Sequence, residues 1–364
     1  MVFRGEIEAA LHPGLTRVTP GPGRAVLEDI HARVRQAHPD AVFRTVNLPT
    51  TPTESVSWWG HDGQGRSFHV YANPYTGELL GVDVASGNVT EWLYLFHAQL
   101  LGGETGEQVN GVGAVVWVLL LATGLALARP RAMGRWREAL TVRWRAQVRR
   151  RVLDLHRAVG LWAWVPLMVV IVTGASFPFP APFRWLASMG QGTSLVEDAP
   201  VAAGPTNGER VTLDAVVRAA DALWPGVPAN WIRLPQREGD VFTVRKRLPG
   251  DGRTEGDNHV HVDPGSGRVT RMDLHRERPL GQRFLRAMFP LHVGAFGGTT
   301  TRVMWAALGC VPALLLASGA WMAWRRSRQK TAPAAAPGAP RDPSERFPLE
   351  NSHPNPKDEH VDRA

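Results

Sequence analysis

Cysteine is almost absent from this 364-residue chain, with Cys310 the only one. No disulfide can close within the chain, so any domain outside the cytoplasm must hold together by packing alone. Motifs that announce a familiar chemistry are absent too. There is no glycine loop ending in Lys-Ser/Thr to cradle phosphate, no His-Glu-x-x-His and no Gly-x-Ser-x-Gly. Residues 129–155 are too few and too rich in arginine for a dinucleotide site. The opening, Met1-Val2-Phe3-Arg4, passes straight into polar sequence with neither a signal peptide nor an apolar run.

The apolar residues that are present are concentrated. Mean hydropathy is only −0.17, yet residues 110–128, 158–183 and 303–324 carry no charge at all. Each run is long enough to cross about 30 Å of hydrocarbon as a helix. Three such runs with charged flanks are rare in soluble folds and predict three membrane spans. The net charge of +8 raises the question of a nucleic-acid partner. Its placement excludes one. Nine arginines lie between Arg129 and Arg151, and Arg325, Arg326, Arg328 and Lys330 follow the third run. This is the positive-inside pattern of a bacterial inner-membrane protein, with both basic segments in the cytoplasm and residues 1–109 and 184–302 outside.

Self-similarity organises the chain. Phe96-His97 precedes Gly102-Gly103 as Leu291-His292 precedes Gly297-Gly298, and Thr123-Gly124 follows at the same spacing as Ser318-Gly319. Outside the spans, Val70-Tyr71-Ala72-Asn73-Pro74-Tyr75-Thr76-Gly77 parallels Val260-His261-Val262-Asp263-Pro264-Gly265-Ser266-Gly267. Both read as strand, turn, strand. Upstream of each, apolar residues recur at helical spacing: Val26, Ile30 and Val34, then Leu213, Val216, Val217 and Ala220. The second run opens on Asp154-Leu155-His156-Arg157. The expected architecture is a membrane α-helical bundle with two external α+β domains, each one helix on a small antiparallel sheet, arranged as an internal repeat. By symmetry a fourth, N-terminal span is missing, and the start at Met1 reads as a truncation. The expected segments are an external domain over 1–95, a boundary helix and span over 96–128, a cytoplasmic loop over 129–155 and a span over 156–183. A second external domain over 184–288, a boundary segment and span over 289–324, and a disordered cytoplasmic tail over 325–364 complete the chain.

This order of motifs resembles the PepSY-associated transmembrane family, also called iron-regulated membrane proteins, over roughly residues 1–328. The resemblance rests on the two Asx-Pro-x-Thr/Ser-Gly units, on His97 and His292 with their Gly-Gly pairs, and on Leu155-His156-Arg157 with Gly160. It implies four spans, two external PepSY domains, haem b held between spans and reduction of ferric siderophores in the periplasm. The missing first span departs from that pattern.

Ionisable side chains at membrane spans are costly and point to function, and neutral imidazole is a good axial ligand for haem iron. His97 and His292, at equivalent positions near the outer boundary, form the candidate pair. His156 lies at the cytoplasmic boundary and would need a partner from the missing span. Arg157 is either a partner for haem propionates or one more basic flank. Trp92, Tyr94, Trp185 and Trp305 read as interfacial anchors. His259 and His261 share a strand face with metal-ligand spacing but read as solvent-facing, with His69 in the place equivalent to His259. The partners expected are the lipid bilayer, a ferric siderophore, and a quinol or protein electron donor. A pure binding or regulatory module, or an accessory subunit of iron uptake, remains the alternative at this stage.

Overall fold

The computed structural model describes residues 2–84, 88–128, 135–189, 210–251 and 253–331. Two compact units result, Met1–Ser318 and Gly319–Ala364. The sheet, the candidate histidines and the outer helices all belong to the first.

The chain begins with two short helices, α1 (Arg4–Leu11) and α2 (Pro13–Thr16), and then forms α3 (Leu27–Ala37). Only Ile30 and Val34 of α3 are fully buried. Their spacing of four places them on one face, which lies against the sheet. Four strands follow: β1 (Val42–Asn47), β2 (Val56–His61), β3 (Ser67–Ala72) and β4 (Leu79–Val84). Next come α4 (Val89–Gln99), the long helix α5 (Gly103–Ala128), α6 (Trp136–Ala139) and a second long helix, α7 (Val148–Ala175). After α8 (Pro180–Ser188) the pattern of helix and four strands returns. It consists of α9 (Leu213–Asp221), β5 (Ala229–Arg233), β6 (Phe242–Lys246), β7 (Asn258–Val262) and β8 (Val269–Asp273). The described chain closes with α10 (Leu280–Val293), α11 (Gly298–Gly309) and α12 (Val311–Thr331), the last running on into the second unit.

The strands do not make the two separate sheets expected from the sequence. They form one antiparallel sheet in the order β4-β3-β2-β1-β5-β6-β7-β8. The join is β1 on β5, with Val46 opposite Ile232. In consequence Val70, Trp58, Val46, Ile232, Val244 and Val260 stand in one row across six strands. Each of the six is at most 1% exposed. Alternation puts their neighbours on the opposite face, so the covered face has a single continuous core beneath α3 and α9.

The two helices cap one another. Asp214, in the first turn of α9, accepts the backbone N–H of Leu27 at 3.0 Å and of Glu28 at 2.9 Å. Glu28, in the first turn of α3, accepts the N–H of Leu213 at 2.7 Å. Each carboxylate therefore satisfies orphan donors at the other helix's positive end. Matched turns close both hairpins: Ala25 N–H donates to the Pro74 carbonyl at 2.9 Å and Val211 N–H to the Pro264 carbonyl at 2.8 Å. Lys246 is an exception to apolar burial, with a wholly buried side chain. Its ammonium donates to the Ala220 carbonyl at 2.8 Å and meets Asp221 at 2.9 Å, so it neutralises the end of α9.

Three helical stretches are long and apolar enough to cross a membrane: Gly103–Ala128, Val148–Ala175 and Gly298–Arg328. The third is interrupted at Cys310, with Pro312 just inside α12. The second ends at Ala175, short of the expected 183, because Pro178, Pro180 and Pro182 cannot continue a helix and instead open the elbow into α8. At the other end α12 extends to Thr331, beyond the expected boundary at 324. Residues 129–134 of the basic loop and 332–364 of the expected tail, with His353 and His360, lie outside the described residues.

Candidate functional site: a histidine pair beneath the sheet

Helix α4 connects β4 to the first span, and α10 connects β8 to the third. Each carries one candidate histidine close to its C-terminus. Asn88 caps α4 by accepting the Thr90 N–H at 3.0 Å. The end of α4 is closed from the span that follows, where the Asn110 amide donates to the carbonyls of His97 at 2.7 Å and Ala98 at 3.3 Å. The chain then turns through Leu100 and Leu101, both with positive φ of 49° and 60°. Left-handed backbone at a non-glycine residue costs of order 1–3 kcal/mol, and here the cost falls beside His97. Helix α10 ends on Gly294 at φ 73°, and Trp305 of α11 donates to the Leu291 carbonyl at 2.8 Å. Trp305 thus locks α10 to α11 instead of anchoring at an interface. Trp92, Tyr94 and Trp185 are exposed, as an interfacial role requires.

The structure brings His97 and His292 together. Their ring centres lie 6.0 Å apart with planes inclined by 30°. The contact is a stacked one, and it brings the two imidazoles within reach of one common group. His292 is the better positioned of the two. Its Nδ1 lies 2.9 Å from the Val170 carbonyl, and because a carbonyl only accepts, Nδ1 carries the proton and Nε2 the lone pair. The Phe177 ring stands edge-on to it at 5.5 Å. Gly174 makes this seat available, since a Cβ there would come within 2.9 Å of His292 Cε1. His97 is exposed at the surface of α4. Among the described residues no cluster of three or more His, Cys, Asp or Glu forms a site for a bare metal ion.

His156 stands apart. Fourteen residues separate it from Val170 along α7, about 21 Å at 1.5 Å per residue. Its Nδ1 lies 2.8 Å from Ser318 Oγ. The Ser318 hydroxyl also lies 2.7 Å from the Leu314 carbonyl; when its proton goes there, His156 Nδ1 is the donor and Nε2 holds the lone pair. Fourteen residues are close to four whole turns, so one face of α7 carries His156 at one end and the acceptor of His292 at the other. Arg157 is engaged by protein groups on two sides. Its guanidinium closes α6 on the carbonyls of Glu138 at 2.6 Å and Ala139 at 3.2 Å. It also joins Arg143 and Arg150 around the fully buried Asp154, at 3.3, 3.5 and 3.1 Å.

The opposite face of the sheet is polar, aromatic and cationic, and is partly covered in its turn, by α2 over β3 and β4. His259 and His261 share it, but they are held in a network and do not face open solvent. His261 Nε2 meets Asp273 at 2.8 Å and Nδ1 meets Thr243 Oγ1 at 3.3 Å. His259 Nδ1 lies 3.2 Å from Arg278. Burial, reinforced by Arg286, Arg278 and Arg245 and opposed by Asp257, pushes the His259 pKa down to about 3. Near the middle of that face Trp231 lies between the guanidinium groups of Arg233 at 5.6 Å and Arg245 at 5.4 Å. Sequence reasoning missed this stack, because Trp231 and Arg245 become neighbours only through the β5–β6 register.

A bundle of apolar helices, an α+β layer on one end and an imidazole pair on the connecting helices define a multi-pass membrane protein. The chain belongs to the PepSY-associated TM region family, which it matches over residues 1–326. No curated protein matches it.

Proposed function

We propose that this chain is a haem-binding protein of the bacterial inner membrane that serves the reduction of ferric siderophores outside the membrane, drawing on a quinol or a protein donor. The observation that carries the reading is the His97–His292 pair, two imidazoles from separate halves of the chain with ring centres 6.0 Å apart. The Nδ1 bond of His292 to the Val170 carbonyl supports it further, because it selects the tautomer an axial ligand needs and sets the ring's orientation. His97 and His292 would hold haem b through Nε2, and bound haem supplies a one-electron carrier near the outer end of the spans. Gly174 and Phe177 seat the His292 ring. His156, its Nδ1 already directed to Ser318, would hold a second haem together with an imidazole from another helix.

In this reading the outer layer is a pair of PepSY domains, a duplicated unit about a pseudo-twofold axis. The reciprocal caps of Glu28 and Asp214, the Val46–Ile232 register and the histidine pair support it, since each joins corresponding positions of the two halves. The Trp231 platform offers a ring and the Arg233 guanidinium to an anionic chelate, while Arg245 on the same ring is paired with Glu255 at 2.7 Å. Reduction of its ferric iron weakens the hold of hard oxygen ligands, which frees the metal.

The test is a reduced-minus-oxidised absorption spectrum of the purified, detergent-solubilised chain grown with haem available. Sharp low-spin b-type bands are expected, and they should vanish in His97→Ala and in His292→Ala. Unchanged haem content in both variants removes the pair from the ligand set. A flat spectrum from folded protein favours a non-enzymatic PepSY binding or regulatory protein.

A further inference from the structure

At the opposite end of α7 from the histidine pair, a cleft of about 250 Å³ is lined by Trp144, Val148, Arg151, Val152 and Leu155. Its chemistry is divided. Arg143, Arg150 and Arg157 are committed to Asp154. The Arg151 guanidinium, by contrast, has no hydrogen-bond or ion-pair partner among the described residues, and it lines the cleft. Arg145 and Arg149 nearby are likewise without one, so the rim carries surplus positive charge. The floor is apolar, and it continues. Val148, Val152, Leu155, Val159 and Trp162 follow one another at helical spacing along a single face of α7. Trp162, at the lower end of that stripe, is 71% exposed.

Depth matters as well as charge. The uncharged part of α7 begins at Ala158. Arg151 is seven residues earlier, about 10 Å along the helix, which places it at the level of headgroups that flank a hydrocarbon layer of about 30 Å. Leu155 and Val159 lead from there toward the uncharged part of the helix, and Trp162, whose indole N–H donates to the Leu140 carbonyl at 3.3 Å, closes the stripe. A free anion needs the cation but has no use for an apolar track leading away from it, whereas a lipid needs both.

We propose that this cleft is a specific site for an anionic phospholipid of the leaflet at that end of α7. The headgroup phosphate lies against Arg151 beside the Trp144 ring, and one acyl chain follows Val152, Leu155, Val159 and Trp162. The surplus rim charge selects an anionic headgroup over a zwitterionic one.

Native mass spectrometry of the full chain in detergent, titrated with phosphatidylglycerol or phosphatidylcholine, tests it. Phosphatidylglycerol adducts are expected at lower concentration than phosphatidylcholine adducts. Arg151→Gln should weaken the former by about fivefold, in line with roughly 1 kcal/mol per basic residue at a membrane surface, and leave the latter unchanged. Val148→Asp, an exposed substitution that brings a negative charge to the cleft, should weaken the same adducts while Arg151 stays in place. Equal binding of the two lipids, wild-type phosphatidylglycerol binding in both variants, or displacement of the lipid by millimolar inorganic phosphate would each overturn the proposal, the last by revealing a free-anion site.

Discussion

At the scale of single residues, the seat of His292 is set by an atom that is missing. Gly174→Ala places a methyl group within 2.9 Å of the imidazole, and the ring must move because the helix backbone cannot. If the pair holds haem as proposed, the expected outcome is a folded protein with most of the low-spin haem absorbance lost, measured by the same difference spectrum and checked for folding by circular dichroism. Wild-type absorbance in Gly174→Ala would mean that His292 is not a ligand. His259 offers a separate test, of stability. Its folded pKa of about 3 lies below its ordinary value of 6.5, so between those pH values the unfolded chain takes up a proton that the folded chain refuses. The stability linked to this group is complete above about pH 6.5 and is lost as pH falls toward 3. His31, stacked on Trp58 and held near pKa 4 by burial, acts in the same direction. The double variant His31→Gln/His259→Gln should therefore lose less thermal stability than wild type between about pH 7 and 4. Parallel melting curves would show that neither histidine contributes.

At the scale of elements, two carboxylate devices hold helices in place. Above the sheet, Asp214→Ala removes the acceptor for two N–H groups of α3, at a cost of about 1 kcal/mol. Hydrogen exchange at residues 27–30 should speed up severalfold, with a smaller change at α9. Equal change at both helices would mean that the two caps fail as one unit. At the base of α7, the buried carboxylate of Asp154 collects three arginines whose side chains still reach solvent. Asp154→Asn leaves those cations facing one another and, because they are partly solvated, should cost about 1 kcal/mol, read as a drop in melting temperature in detergent. Adding Arg143→Gln should restore part of the loss, because the repulsion is then relieved.

At the scale of the whole molecule, much was legible in the sequence for a simple reason: period and charge are local signals. The uncharged runs gave the three spans, and helical and alternating spacing gave the helices and strands of both external segments. The histidine pair was found because matched spacings around His97 and His292 were visible without any fold. The merging of two sheets into one was not legible, since a strand edge carries no mark of which edge it will meet. Val46 and Ile232 look like any other inward-facing residues until the register sets them side by side. The Asp154 cluster was hidden in the same way, with Arg143 and Arg150 legible only as basic flanks and Arg157 as a flank or a propionate partner. That shared sheet also imposes an order on how the protein is made. The free edge of β1 is complete at Asn47, while its partner β5 does not begin until Ala229. At 5–20 residues per second, the ribosome needs on the order of ten seconds or more to reach it. During that interval α5 and α7 are synthesised between the two strands, so the central edge of the sheet waits unpaired until two membrane helices have followed it. The half-made protein is therefore a natural client for whatever shields open strands on that side of the membrane.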